Sequence, residues 1–311
     1  MSDPFLVSDL GNSQLRRSHD ADQAEWQALK FGSANINYGL RDEALSGEYE
    51  LGSDELQRAE ESLADEIERR IKLFGKCYPF KREKSSLKYV QSKTSAYEFC
   101  LSISTLSSIS TADGKKFQIA FERLIRDVLK AFLGPGASSF RTGVPGDGLE
   151  TRPNGIAKVS KLLNAQIGTG EFTWNPRNDI AQASGRRQNG DLGMDVVAWK
   201  QFPDNRRGNL MLVGQCACGK TDWQTKFSEP DKTRLDRWFR PLTYVPFVKC
   251  FAVPFHIPNH VHFGDVSESA GLTLDRGRIA VICENKVNQK FIRESAPVKY
   301  TDLVELAKKR V

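Results

Sequence analysis

The sequence predicts an α/β protein, a mixed central sheet flanked by helices and preceded by a helical N-terminal region. Three observations carry this. An amphipathic helical pattern, "DGKKFQIAFERLIRDVLKAFLGPG", comes before two short apolar runs, "MDVVAWKQF" and "NLMLVGQC". Two more apolar runs, "VPFVKCFAVPF" and "LTLDRGRIAVICEN", follow a polar segment with helical character, "EPDKTRLDRWFR". Helix-like and strand-like segments therefore alternate, an order that suits a sheet covered by helices.

With 311 residues the chain is long enough for a sizeable core. Its 39% hydrophobic and 27% charged residues are ordinary globular composition. No run reaches the ~18 apolar residues of a membrane span. The start, "MSDPFLVSDLGNSQLRR", lacks the basic and then apolar pattern of a signal peptide, so a cytoplasmic protein is expected. Six dispersed cysteines, several inside apolar runs, read as reduced buried thiols. The net charge of +6 suits a polyanionic partner as well as it suits a merely soluble surface.

Along the chain, residues 1–20 are polar and aperiodic and read as a flexible N-terminus. Residues 21–110 read as a helical region. Leu56, Ala59, Leu63, Ile67 and Ile71 repeat at helical spacing, with acids early and bases late. Ser95 and Glu98 have the spacing of a capping box ahead of "FCLSIS". Residues 111–311 form the main domain. Phe117, Ala120, Phe121, Leu124 and Val128 make the stripe of its first helix, and Gly134 is its natural stop. The stretch "GPGASSFRTGVPGDGLETRPNG" reads as a long loop, and Ile156, Val159, Leu162 and Leu163 mark the next helix. "PDNRRG" between the two apolar runs predicts an antiparallel hairpin. "TDLVELAKKRV" closes the chain as a helix.

The hairpin raises a chemical question. Asp195 opens the first strand and Gln215 stands near the end of the second, so antiparallel pairing brings them to the same side. A carboxylate beside so much apolar surface is costly unless it binds something. Glu122 lies among Ile119, Ile125 and Leu129 on the strong helix, and Lys220 follows a glycine that lets the chain fold back. Two acids, an amide and a lysine can hold a hard cation and stabilise developing negative charge. Each residue also has a plainer reading. Asp195 could cap a turn, Glu122 could pair with Arg126, Gln215 could bond backbone, and Lys220 could be a solvated loop lysine.

These residues resemble the PD-(D/E)XK, or restriction-endonuclease-like, nuclease superfamily over roughly residues 115–255. "FERLIRDVL" resembles its first core helix, "GMDVVAW" its aspartate strand, and "GQCACGK" a glutamine form of its (E/Q)xK strand. The resemblance implies a Mg²⁺-dependent endodeoxyribonuclease, Mn²⁺ serving as well, with Glu122, Asp195 and Gln215 at the metal and Lys220 aiding the attacking water. Arg186, Arg187 and Lys226 would contact DNA. It also implies a bacterial setting of restriction or anti-phage defence, with DNA and defence-system proteins as partners, no membrane, and room for a homo-oligomer. Two departures stand out: Ala217 occupies the usual lysine place, with Lys226 a second candidate beyond Lys220, and a glutamine replaces an acid. A non-catalytic nucleic-acid-binding or assembly subunit is the alternative, and a protein-docking module a third.

Cys216 and Cys218 form a CxC, for which two buried core thiols outweigh zinc, as no companion ligands lie near in sequence. His256, His260 and His262 cluster in "HIPNHVHF", an edge loop in which His260 and His262 could share a strand face.

Overall fold

The computed structural model describes residues 9–37, 53–106, 112–142, 156–169, 193–219, 223–226, 235, 247–258, 260–295 and 299–310. The expected mixed α/β class is found. A five-stranded mixed sheet runs in the order β4 (Ala137–Arg141), β5 (Val196–Lys200), β6 (Leu210–Cys216), β7 (Val248–Ala252) and β8 (Leu272–Leu274). The first three strands form an antiparallel meander, and β7 and β8 continue it in parallel.

The helices explain why the sheet is buried on both sides. Helix α4 (Ala112–Leu133) lays Phe121, Leu124, Ile125, Val128 and Leu129 on one face, against Val196, Ala198, Leu212 and Cys216. Each such side chain contributes about 1.5–3 kcal/mol on leaving water. α4 packs closely on β6 here, since a Cβ at Gly214 would stand 3.4 Å from the Leu129 side chain, at contact distance. Gly134 ends the helix at φ +80°, as the sequence predicts. Helix α5 (Ile156–Ile167) covers the opposite face, where Leu163 and Ile167 meet Val197, Trp199, Met211 and Val213. Strands buried on both sides read as continuous apolar runs rather than alternating ones.

The N-terminal region departs from a purely helical reading. Helix α1 (Asp9–Phe31) already begins at Asp9, inside the segment expected to be flexible. With α2 (Ser53–Phe74) and α3 (Ala96–Thr105) it packs beside a small antiparallel sheet of β1 (Ser33–Asn35), β3 (Ser86–Tyr89) and β2 (Phe80–Glu83). Strands of three or four residues carry too little periodicity to be read. The expected capping box also fails. Ser95 is left-handed at φ +56° and makes no side-chain cap, while the Glu98 carboxylate accepts from the Ser92 amide and hydroxyl instead.

Three further expectations are corrected. The long loop after Gly134 contains β4, whose edge position and mixed side chains conceal it. "LTLDRGRIAVICEN" is a strand only over Leu272–Leu274; Asp275 then caps helix α7 (Arg276–Glu284), its carboxylate accepting from the Arg278 amide. His260 and His262 lie on helix α6 (His260–Ala270), where residues two apart diverge, so they cannot share a strand face. Helices α8 (Lys286–Ser295) and α9 (Tyr300–Lys308) end the chain, the latter as expected. Apart from Leu235, the segment "EPDKTRLDRWFR" lies outside the described residues or is only marginally covered by them. Among the described residues, no helix is long and apolar enough to cross a membrane.

Candidate functional site

The hairpin register places the two central residues side by side. Val196 pairs with Gly214 at the end of the hairpin register, and Asp195 and Gln215 are the next residues on the two strands. The Asp195 amide donates to the Gly214 carbonyl at 2.8 Å, one residue out of that register, so the regular ladder ends at Val196. Alternation then assigns faces. Gln215 shares a face with Val213 and Met211, and Ala217 follows on that face two residues later. Cys216 and Cys218 project to the other face, toward helix α4.

Asp195 is 7% exposed and Gln215 8%. The Asp195 Oδ2 accepts from the Cys216 amide at 2.7 Å, and its carbonyl accepts from the Thr142 amide at 2.7 Å. The Thr142 hydroxyl also donates to the Met194 carbonyl. Asp195 is thus held through its backbone by the end of β4 and through its carboxylate by the end of β6. Gln215 Oε1 is buried with no hydrogen-bond partner. An orphaned buried acceptor costs about 1–3 kcal/mol, so it marks either strain or a missing ligand.

Glu122 is 1% exposed and accepts from Arg141 Nη1 at 2.7 Å. Its partner is therefore Arg141, at the end of β4, and not Arg126, which reaches Asp127 instead. The sequence reading missed Arg141 because it lies in the stretch taken for a loop. The electrostatics of the two thiols tie the acids together. Burial raises the Cys216 and Cys218 thiols well above their usual range, and the charges of Asp195 and Glu122 push both further up. Lys226 opposes this rise at Cys218. It belongs to the short turn Trp223–Lys226, anchored by the buried Trp223 ring against Phe251 at 6.4 Å.

The structure thus sets Asp195 and Gln215 at the adjoining ends of β5 and β6, with Glu122 on α4 and Lys226 on the short turn that follows β6. Lys220, Arg186 and Arg187 lie outside the described residues. The two CxC thiols are free, buried and protonated, in keeping with core cysteines. His256 stands apart, its Nδ1 3.0 Å from Asp275 Oδ2. Comparison with known proteins finds no matching family model, no matching curated protein and no matching solved structure.

Proposed function

We propose that the chain is a metal-dependent nuclease acting on DNA phosphodiester bonds, in the manner its sequence resemblance implies. The observation that carries the reading is buried Asp195, whose carboxylate accepts from the Cys216 amide, beside buried Gln215, whose Oε1 lacks a partner among the described residues. A carboxylate and an amide oxygen at adjoining strand ends suit a hard cation such as Mg²⁺ or Mn²⁺. Asp195 and Gln215 would hold the metal, with the Glu122 carboxylate adding negative charge from α4. A cation bound there supplies Lewis-acid polarisation of a phosphodiester oxygen. The Cys216 amide orients Asp195 and the Arg141 guanidinium orients Glu122, and Lys226 would supply positive charge to a scissile phosphate. Lys220 remains a second candidate for that charge, and Arg186 and Arg187 for contacts to the DNA backbone. A role in bacterial restriction or anti-phage defence, with DNA and defence proteins as partners, belongs to the same proposal.

A second reading, a nucleic-acid-binding or assembly subunit without catalysis, draws on Ala217. It shares the face of Gln215 at the place where the resemblance calls for a lysine. Cleavage of supercoiled and linear DNA with Mg²⁺ or Mn²⁺ separates the two. Asp195→Asn keeps an oxygen acceptor for the Cys216 amide but removes the charge, so cleavage should disappear from a chain that unfolds like the parent. Lys226→Met should lower the rate by about 10²–10⁴-fold with DNA affinity nearly unchanged. Metal-dependent cleavage that survives Asp195→Asn sinks the nuclease assignment. Salt-sensitive DNA binding without any cleavage by the parent chain favours the second reading.

A further inference from the structure

A separate cavity of about 500 Å³ opens where α2, α4, α6, β8 and α7 meet. It shares none of its lining residues with the Asp195–Gln215 site. Its volume lies within the ~300–1,000 Å³ typical of small-molecule sites. The walls are aliphatic and aromatic: Leu73, Phe74, Phe132, Phe263, Val281 and Ile282. Three of these remain open to solvent, Leu73 at 50%, Phe132 at 53% and Val281 at 44%. Three large apolar side chains from three different helices converge on one concavity, which differs from apolar residues scattered singly over a surface.

The polar groups of the cavity divide into satisfied and unsatisfied ones. Arg69 is held bidentately by Glu66 at 2.8 Å and also contacts His256 Nε2 at 2.6 Å. Asp275 is spent on His256 and on the amides of Ile257 and Arg278. His256 is driven toward its neutral form by burial and by Arg70. Arg278 is different. Its guanidinium donates once, to the Thr273 carbonyl at 2.9 Å, and lies over the Phe263 ring at 4.3 Å, with no carboxylate paired to it among the described residues. The Phe263 face and the Thr273 bond fix the guanidinium at the rim, with most of its five donors uncommitted.

An apolar cavity with one uncompensated, positioned cation at its edge complements a ligand of matching polarity. We propose that this cavity binds a small amphipathic anion, with the apolar body against Leu73, Phe132 and Val281 and a carboxylate or phosphate on Arg278. Gly277 maintains the space. A Cβ there would stand 2.0 Å from the Phe74 ring, so the glycine lets Phe74 lie flat as the cavity wall. Phe132 belongs to α4, the helix that also carries Glu122, so an occupant would touch the element that borders the candidate nuclease site.

Isothermal titration of the full chain with decanoate and with 2-naphthoate, each against its neutral alcohol, tests the assignment. The expected result is saturable binding of at least one anion, one per chain, stronger than that of the matching alcohol. Arg278→Met should weaken the anion about ten-fold or more, as loss of a charge-assisted hydrogen bond does, and leave the alcohol unchanged. Val281→Trp, at a half-exposed position that tolerates bulk, should abolish both by filling the cavity. Failure of both anions to bind a chain with a normal unfolding transition overturns the proposal. Binding that both variants leave intact, or an equal loss of anion and alcohol in Arg278→Met, overturns it as well.

Discussion

Two clusters of buried charge lie in this chain, and they are built to opposite rules. In the first, Asp22 and Glu25 of α1, Glu66 and Arg70 of α2, and Arg276 of α7 interlock. Arg70 reaches Asp22 at 2.7 Å, Glu25 at 2.6 Å and Glu66 at 2.8 Å, while Arg276 reaches Asp22 at 2.7 Å. Tyr78 and Tyr97 donate to Glu25, and Ser18 and Ser104 accept from the arginines. The Arg70, Arg276 and Glu25 side chains are wholly sealed from solvent. The second cluster, around Asp195, Gln215 and Glu122, stays slightly open at Asp195 and Gln215 and keeps an amide oxygen without a partner. A network in which each charge meets its opposite fixes helices α1, α2 and α7 to one another. The second network leaves one buried acceptor unsatisfied among the described residues.

The largest effect should come from breaking the sealed cluster. Arg70→Met leaves Asp22 and Glu25 short of positive charge in a sealed interior and should cost about 3–5 kcal/mol. Denaturant unfolding followed by circular dichroism measures it. A loss under 1 kcal/mol would make the cluster incidental and dissolve the contrast.

Acid should erode the same cluster through Glu66. Burial opposes ionisation of this carboxyl, but the Arg69 hydrogen bond and the Arg70 and Arg69 charges outweigh it and hold its pKa at about 2. The folded value lies below the ordinary 4.5, so the contribution is fully present above pH 4.5 and is lost as pH falls toward 2. It should amount to on the order of 3 kcal/mol. Stability measured across that window should fall more steeply for the parent than for Glu66→Gln. Parallel curves would remove Glu66 from the acid response.

The smallest effect sharpens the comparison most. Gln215→Met removes an unpaired oxygen while keeping the shape, so stability should stay level or rise by up to about 1 kcal/mol. Metal affinity, read by titration with Mn²⁺, should fall in the same protein. A stability gain with lost metal binding is the expected mark of a site kept at a cost to the fold. A clear loss of stability would mean that the Gln215 side chain serves packing.

Much of the second cluster was legible in one dimension, and almost none of the first. Asp195 and Gln215 stand at the ends of two strands whose β-branched runs and intervening turn predict their own pairing, so their convergence follows from local patterning. Glu122 follows from the helical stripe around it. Arg141 did not, because an edge strand inside a Gly- and Pro-rich stretch has no periodicity to reveal it. The sealed cluster joins residues 22, 25, 66, 70 and 276, and no local signal links positions some 250 residues apart.

By itself, then, the sequence determined the mixed α/β class, the helix from Ala112 to Leu133, the β5–β6 hairpin and the meeting of Asp195 with Gln215. Each depends on periods of 2 or 3.6 residues and on turn chemistry, which act over a few residues at a time. Tertiary structure decided the partners: Arg141 for Glu122, the Arg70–Arg276 cluster, and the Arg278-edged cavity beside Phe74. Those depend on which faces of distant elements pack together and on how completely water is excluded between them. Periodicity orients a face, but only packing chooses what stands opposite it.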